Sequence, residues 1–149
     1  MEIRKLCVDT LSLPEIAALL DIAQGVAVRR PDWQKLKQEL RRSELCGIYD
    51  GAQLVGYAPV NGRSLYFGGS VQILSLRYLW PYNQEDRIAQ MIRGIAALYR
   101  GQARWLVMDI DAKRDFNFPL YKALGFQAST MRSPLARSNV VLLCPMESL

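Results

Sequence analysis

Residues 105–111, Trp-Leu-Val-Met-Asp-Ile-Asp, constrain this chain more than any other stretch. Trp105 to Met108 are apolar without alternation, and large or branched residues in such a run favour extended backbone. A strand that is apolar on both sides needs cover on both sides, so this segment reads as a central strand with layers above and below it. Asp109 and Asp111 come only at its C-terminal end, two residues apart, so both carboxylates point to one face. A chain of 149 residues suits one such layered domain, expected to span 1–149.

The rest of the chain supplies the layers. Residues 2–8 read as a first strand. Ser12-Leu13-Pro14-Glu15 has the spacing of a capping box, and Ile16, Leu19, Leu20 and Ala23 follow at helical intervals until Gly25. Pro31 opens a second helix with the stripe Trp33, Leu36 and Leu40. The period then changes: Cys46–Tyr49 and Gln53–Val60 are strands around an Asp50-Gly51 turn. Ser64–Phe67 is a third short run. Val71–Trp80 reads as the longest strand in the chain, stopped by Pro81. Asn83 caps a third helix with Ile88, Met91, Ile92, Ile95 and Tyr99 on its apolar face. After the central strand, Phe118–Leu124 is a short helix closed by Gly125, and Phe126–Met131 and Asn139–Leu143 are the last strands. The order β-α-α-β-β-β-α-β-α-β-β predicts one mixed α/β sheet with helices on its faces.

Composition removes whole classes of chemistry. The chain has no histidine, which excludes imidazole bases, His triads and HExxH metal sites. Its three cysteines, Cys7, Cys46 and Cys144, are far apart and odd in number, so no zinc site or disulfide framework is expected, and each reads as a small buried hydrophobe. No apolar run reaches the ~18 residues of a membrane span. The N-terminal Met-Glu-Ile-Arg-Lys lacks the core of a signal peptide, which implies a cytoplasmic protein. The net charge is +5. Between Arg29 and Arg42 six basic residues face two acidic ones. Without interleaved aromatics that cluster reads as a solvated helix face, and nucleic acid is not the expected partner.

Two stretches carry a resemblance. The first is Leu79-Trp80-Pro81-Tyr82-Asn83-Gln84-Glu85-Asp86-Arg87-Ile88-Ala89, a strand end, a proline turn and the start of a helix. The second is Leu120-Tyr121-Lys122-Ala123-Leu124-Gly125-Phe126. With the element order, they resemble the GNAT family, the Gcn5-related N-acetyltransferases. The resemblance implies a mixed, mostly antiparallel central sheet flanked by helices, whose fourth and fifth strands splay apart around acetyl-CoA. It implies transfer of an acetyl group from acetyl-CoA to an amine, borne by a small molecule or a protein. It places the CoA pyrophosphate at Gln84, Glu85, Asp86, Arg87, Ile88 and Ala89, where helix N–H groups and the helix dipole favour anions. Leu79 and Trp80 would offer backbone N–H groups to the acetyl carbonyl. Tyr121 would protonate the leaving thiolate, and Arg114 would meet the phosphates from the other side.

The sequence departs from that family where the phosphates would lie. Gln84-Glu85 replaces the basic-Gly pair, and Arg87 replaces the next glycine. Glu85 and Asp86 satisfy the helix dipole themselves and repel a pyrophosphate. Arg87 can clamp a phosphate in place of the missing glycines, or pair with Asp86 or Asp109 and close the site. The altered loop keeps a second reading open, a GNAT-fold protein that binds or regulates without catalysis. No base is evident: Asp109 and Asp111 are candidates as a carboxylate pair, Asp109 foremost, and relayed water is the alternative. Ser75 and Tyr78 are candidate substrate contacts. An exposed final strand can also pair two copies across a two-fold axis.

Overall fold

The computed structural model describes residues 1–64, 66–115 and 117–149. The chain runs β1 (Glu2–Leu6), α1 (Leu13–Gln24), α2 (Trp33–Leu40), β2 (Glu44–Asp50), β3 (Gln53–Asn61), β4 (Ser70–Ile73), β5 (Arg77–Tyr78), α3 (Glu85–Tyr99), β6 (Trp105–Asp111), α4 (Phe118–Leu124), β7 (Gln127–Ala128) and β8 (Asn139–Pro145). The strands form one eight-stranded sheet in the order β1-β2-β3-β4-β6-β8-β7, with β5 also paired to β3. Among the described residues only β4 and β6 are parallel. The sheet is therefore mixed and mostly antiparallel, as expected, with β6 near its middle. Among the described residues, no helix is long and apolar enough to cross a membrane.

Local chemistry sets the first helix. Ser12 Oγ accepts from the Glu15 amide at 3.3 Å, and Glu15 Oε1 accepts from the Ser12 amide at 3.0 Å. This reciprocal cap satisfies two amides that the helix start leaves without partners. Gly25 ends α1 with φ of 53°. Tyr49 Oη donates to Glu15 at 2.7 Å, which ties the cap to β2. The second helix begins at Trp33 behind Asp32, not at Pro31.

The two faces of the sheet are covered differently. On one face α3 and α4 bury Ile88, Ile92, Ile95, Tyr99, Tyr121 and Leu124 against Ile73, Leu106, Met108 and Ile110. On the other, α1 and α2 bury Leu19, Ile22, Leu36 and Leu40 against Leu45, Tyr49 and Tyr57. Those two helices lie over β2 and β3. The same face of β6 is met by loops instead, and the Phe67 ring packs edge-on to Trp105 at 6.3 Å.

Several expected elements change. The long strand over 71–80 is broken into β4 and β5. Val60 faces Ile73 and Tyr57 faces Arg77, so four steps on one strand oppose three on the other. The extra residue is a β-bulge. Pro59 lies opposite it: its carbonyl accepts from the Leu74 amide at 2.9 Å, and proline has no N–H to return. The bulge flips the face of the residues after it, so Leu76 and Tyr78 pack on the α3 side while Arg77 turns away. Of the strand expected over 64–67, Leu65 lies outside the described residues and Ser64, Tyr66 and Phe67 form a loop. The strand expected over 126–131 shrinks to Gln127–Ala128, because the Met131 amide turns back onto Ser129 Oγ at 3.0 Å. Helix α3 is capped by Gln84. Asn83 instead closes a 3₁₀ turn over Trp80–Tyr82. Cys46 and Cys144 are buried, but Cys7 is exposed. The final strand is not a sheet edge, since β8 is flanked by β6 and by the short β7.

Two outcomes are expected for stability. The Ser12 amide, then the Tyr49 hydroxyl, hold the Glu15 carboxyl below its ordinary value of 4.5. A depressed carboxyl stabilises the fold above the unfolded value and loses that contribution as pH falls through the folded value. Urea midpoints measured from pH 6 to pH 3 should therefore fall, and Glu15→Gln should flatten that fall. Gly94 sits where α3 crosses β1, and a Cβ there would overlap Ile3 Cγ1. Gly94→Ala should cost about 1–3 kcal/mol by urea denaturation despite its better helix propensity, and Ile3→Ala in the same chain should return part of the loss.

Candidate active site

A wide concave feature lies in the gap between β5 and β6. The ladder between β4 and β6 runs from Ser70 opposite Trp105 to Ile73 opposite Met108 and then stops. Beyond it β5 follows β3, and β6 continues beside β8 as far as Asp111. The parting strands open a cavity of about 760 Å³. Residues 73–78 form one wall and 108–111 the other, with Trp80, Asn83 and Glu85 at the helix end and Arg114, Asp115, Asn117 and Tyr121 across the mouth.

Tyr121 is buried, and its ring packs edge-on to Phe126 at 6.1 Å. Its hydroxyl lies in the cavity lining and donates to Asp115 Oδ2 at 3.3 Å. Burial, then the Asp115 charge, push the phenol well above its ordinary value, while Asn117 pulls the other way. Tyr121 therefore keeps its proton at any physiological pH. Across the gap Asn117 Nδ2 donates to Tyr78 Oη at 3.4 Å, tying the start of α4 to β5.

Asp109 reaches the cavity but does not stand free. Tyr66 Oη and Ser133 Oγ both donate to its Oδ2, the latter at 2.6 Å, and Asn139 Nδ2 donates to Oδ1 at 2.9 Å. Burial and the Asp109 carboxylate raise the Tyr66 phenol. A carboxylate that accepts from three donors on three segments holds those segments together as a clamp. The structure thus gives Asp109 a holding role beside that of the base the sequence suggested. Asp111 accepts from the Lys113 amide at 3.1 Å and lies 3.6 Å from Arg114 Nε. Each carboxylate is engaged by its own partners, so they do not act as a pair.

The start of α3 also differs from the expected phosphate site. The Arg87 and Ile88 amides both bond Gln84 O at 3.0 Å. Among the described residues the Glu85 and Asp86 amides meet no backbone acceptor. Ile88 and Ala89 are buried on the inner side of α3. The Arg87 guanidinium pairs with neither Asp86 nor Asp109; it stacks 4.7 Å from the Tyr82 ring centroid. Tyr82 Oη in turn donates to Asp50 at 2.7 Å, which draws this group towards the β2–β3 turn. The Leu79 amide is already donated to Val55 O at 2.9 Å, so it has no hydrogen left for an acetyl carbonyl. Trp80 lines the cavity with its amide unbonded to backbone and its side chain 76% exposed. Arg114 lines it with a guanidinium that is 91% exposed.

No family model matches the chain, and no curated protein matches it. Solved structures do. One, described as an acetyltransferase of the GNAT family from Desulfovibrio desulfuricans, superposes with a TM-score of 0.70 at 12% identity, over 97% of this chain and 98% of that one. This chain has the GNAT fold. The ribosomal-protein-S18-alanine N-acetyltransferase of Escherichia coli has the same GNAT fold at a TM-score of 0.67 and 13% identity, covering 97% and 92% of the two chains. The PaiA N-acetyltransferase of Thermoplasma acidophilum, solved in complex with coenzyme A, gives 0.65 at 14% identity, covering 97% and 98%.

Asp115, Asn117, Tyr66, Ser133 and Asn139 were not singled out as a polar frame from sequence. Their loops are local, but their partners lie 39 residues apart for Asn117 and Tyr78 and 43 for Tyr66 and Asp109. The clamp has a direct consequence. Asp109→Ala should cost about 1–3 kcal/mol, because it leaves polar partners unpaired. Amide exchange should speed up in 62–69 and 129–138 together, whereas Tyr66→Phe should loosen only the first loop.

Proposed function

We propose that the protein is a cytoplasmic N-acetyltransferase that moves an acetyl group from acetyl-CoA to an amine of a small molecule or a protein. The observation that carries this reading is the gap between β5 and β6 with the protonated Tyr121 hydroxyl in its lining. Bound there, acetyl-CoA supplies an acyl group already activated as a thioester. An amide-bearing arm suits such a gap, because the facing edges of 74–76 and 109–111 do not bond each other. The free amides of Trp80, Glu85 and Asp86 are donors along one side. Arg114 offers an exposed guanidinium on the other. Tyr121 can turn its hydroxyl hydrogen from Asp115 to a departing sulfur.

A second reading is a GNAT-fold binding or regulatory protein without catalysis. It draws on Glu85 and Asp86 at the start of α3, two carboxylates beside the amides a pyrophosphate would use, and on Arg87 being held against Tyr82.

Calorimetric titration of acetyl-CoA and CoA separates the two. Micromolar binding is the expected result, and no heat at millimolar ligand would leave only the second reading. In the first case, Tyr121→Phe should lower kcat by about 10²–10⁴-fold with CoA affinity unchanged. A variant with full turnover would remove Tyr121 from the reaction.

A further inference from the structure

Acetyl transfer to an amine leaves a proton to be moved from nitrogen and another to be supplied to sulfur. We propose that Asp115 works through Tyr121 as a two-residue relay for both, a role that rests on the acetyltransferase reading. The geometry is specific to this loop. The Asp115 amide bonds Asp111 O at 2.9 Å, which folds the chain back at the end of β6. Asp115 Oδ1 accepts the Asn117 amide at 2.9 Å, and this fixes the plane of the carboxylate. Oδ2 is then aimed at the Tyr121 hydroxyl, 3.3 Å away, and both residues line the cavity.

The other carboxylates of the cavity are otherwise engaged. Asp109 is filled by three donors, and Asp111 is held by the Lys113 amide and Arg114. Glu85 lies exposed on the first turn of α3. Among the described residues Asp115 makes no ion pair, so its charge is directed at the tyrosine and the cavity. The groups that face Tyr121 are Asp115 and Asn117 from its own loop and Tyr78 from β5.

The step balances on these groups alone. A neutral amine uses its lone pair to form the carbon–nitrogen bond, and the carbon–sulfur bond breaks with its electron pair on sulfur. Asp115 accepts one proton from nitrogen, directly or through one water. Tyr121 gives its hydroxyl proton to sulfur and takes the proton held by Asp115. The products are an amide and a free thiol, and both side chains end as they began. Asp115 thus acts on nitrogen as the base, and it reaches sulfur only through Tyr121.

The test uses the full chain, with thiol release from acetyl-CoA read against alaninamide and n-butylamine. Asp115→Asn keeps the size and an acceptor for Tyr121 but cannot carry the proton. It should lower kcat about 100-fold with the KM for acetyl-CoA unchanged. The double variant with Tyr121→Phe should be no slower than Tyr121→Phe alone, because residues that act as one unit are not additive. Asp115→Glu, which keeps a carboxylate, should recover part of kcat. A readout without turnover is the ultraviolet titration of the seven tyrosines. In Asp115→Asn one phenol, absent from Tyr121→Phe, should ionise at lower pH than in the wild type, though still above an ordinary phenol because it stays buried. Wild-type kcat in Asp115→Asn overturns the relay, and an unmoved phenol overturns the pairing. A wild-type protein that binds acetyl-CoA but shows the full Tyr121→Phe loss without any Asp115→Asn loss overturns the relay alone. A wild-type protein that neither binds acetyl-CoA nor releases thiol overturns the acetyltransferase reading and the relay with it.

Discussion

The parallel ladder between β4 and β6 lasts four residue pairs, and the site is built where it ends at Ile73 and Met108. Two features where the strand of β4 and β5 meets β3 coincide with the stop. The bulge after Ile73 adds one residue to the strand, and Pro59 opposite it has no N–H to continue an even ladder. Past that point β5 stays with β3, and β6 stays with β8. Backbone groups on the facing edges must then find water or a ligand, because a buried edge without partners is costly. The same bulge reverses the inward and outward positions of the strand. It sends Leu76 and Tyr78 to the α3 layer and leaves Arg77 on the far side of the gap.

Uneven cover of the sheet explains why Asp109 is where it is. Over β2 and β3 the sheet is closed by α1 and α2, but among the described residues no helix closes that face of β6. Loops do, and loops bury little apolar surface. Phe67 against Trp105 supplies one contact, and the Asp109 carboxylate supplies three hydrogen bonds to Tyr66, Ser133 and Asn139. Hydrogen bonds to a charged group are among the stronger ones in proteins, roughly 1.5–3 kcal/mol each before solvent screening. A strand-end aspartate thus takes the place of a helix as the element that holds this wall.

Much of the fold was legible in the sequence, and the residues show why the rest was not. Local signals survived: the Ser12–Glu15 cap, the Asp50-Gly51 turn, the apolar stripe of α3, the continuous apolar run of β6 and the closing Gly125. Each depends on neighbours within a few positions. The parting of β4 and β6 could not be placed by periodicity, since Val71–Trp80 is apolar enough to read as one strand. Pro59 was the hint, but its effect is felt on a strand 15 residues later, opposite Leu74. Arg87 had three candidate partners by spacing and took a fourth, the Tyr82 ring. Its choice was set by a turn whose Asn83 closed a 3₁₀ bend in place of capping the helix.

Asp109 and Asp115 make the same point about chemistry. By sequence alone Asp109 was the more attractive base, sitting at the end of a central strand beside another aspartate. The fold supplies it with three donors from distant segments, so both of its oxygens are engaged within the protein itself. Asp115 lies in a polar loop with nothing in its neighbours to mark it. The turn at Asp111 brings it back beside a buried phenol, with one oxygen fixed by a backbone amide and the other facing Tyr121. What separates the two carboxylates here is not residue type or strand position. It is how many donors the fold has already spent on it, and in this molecule that number is set by segments distant in sequence.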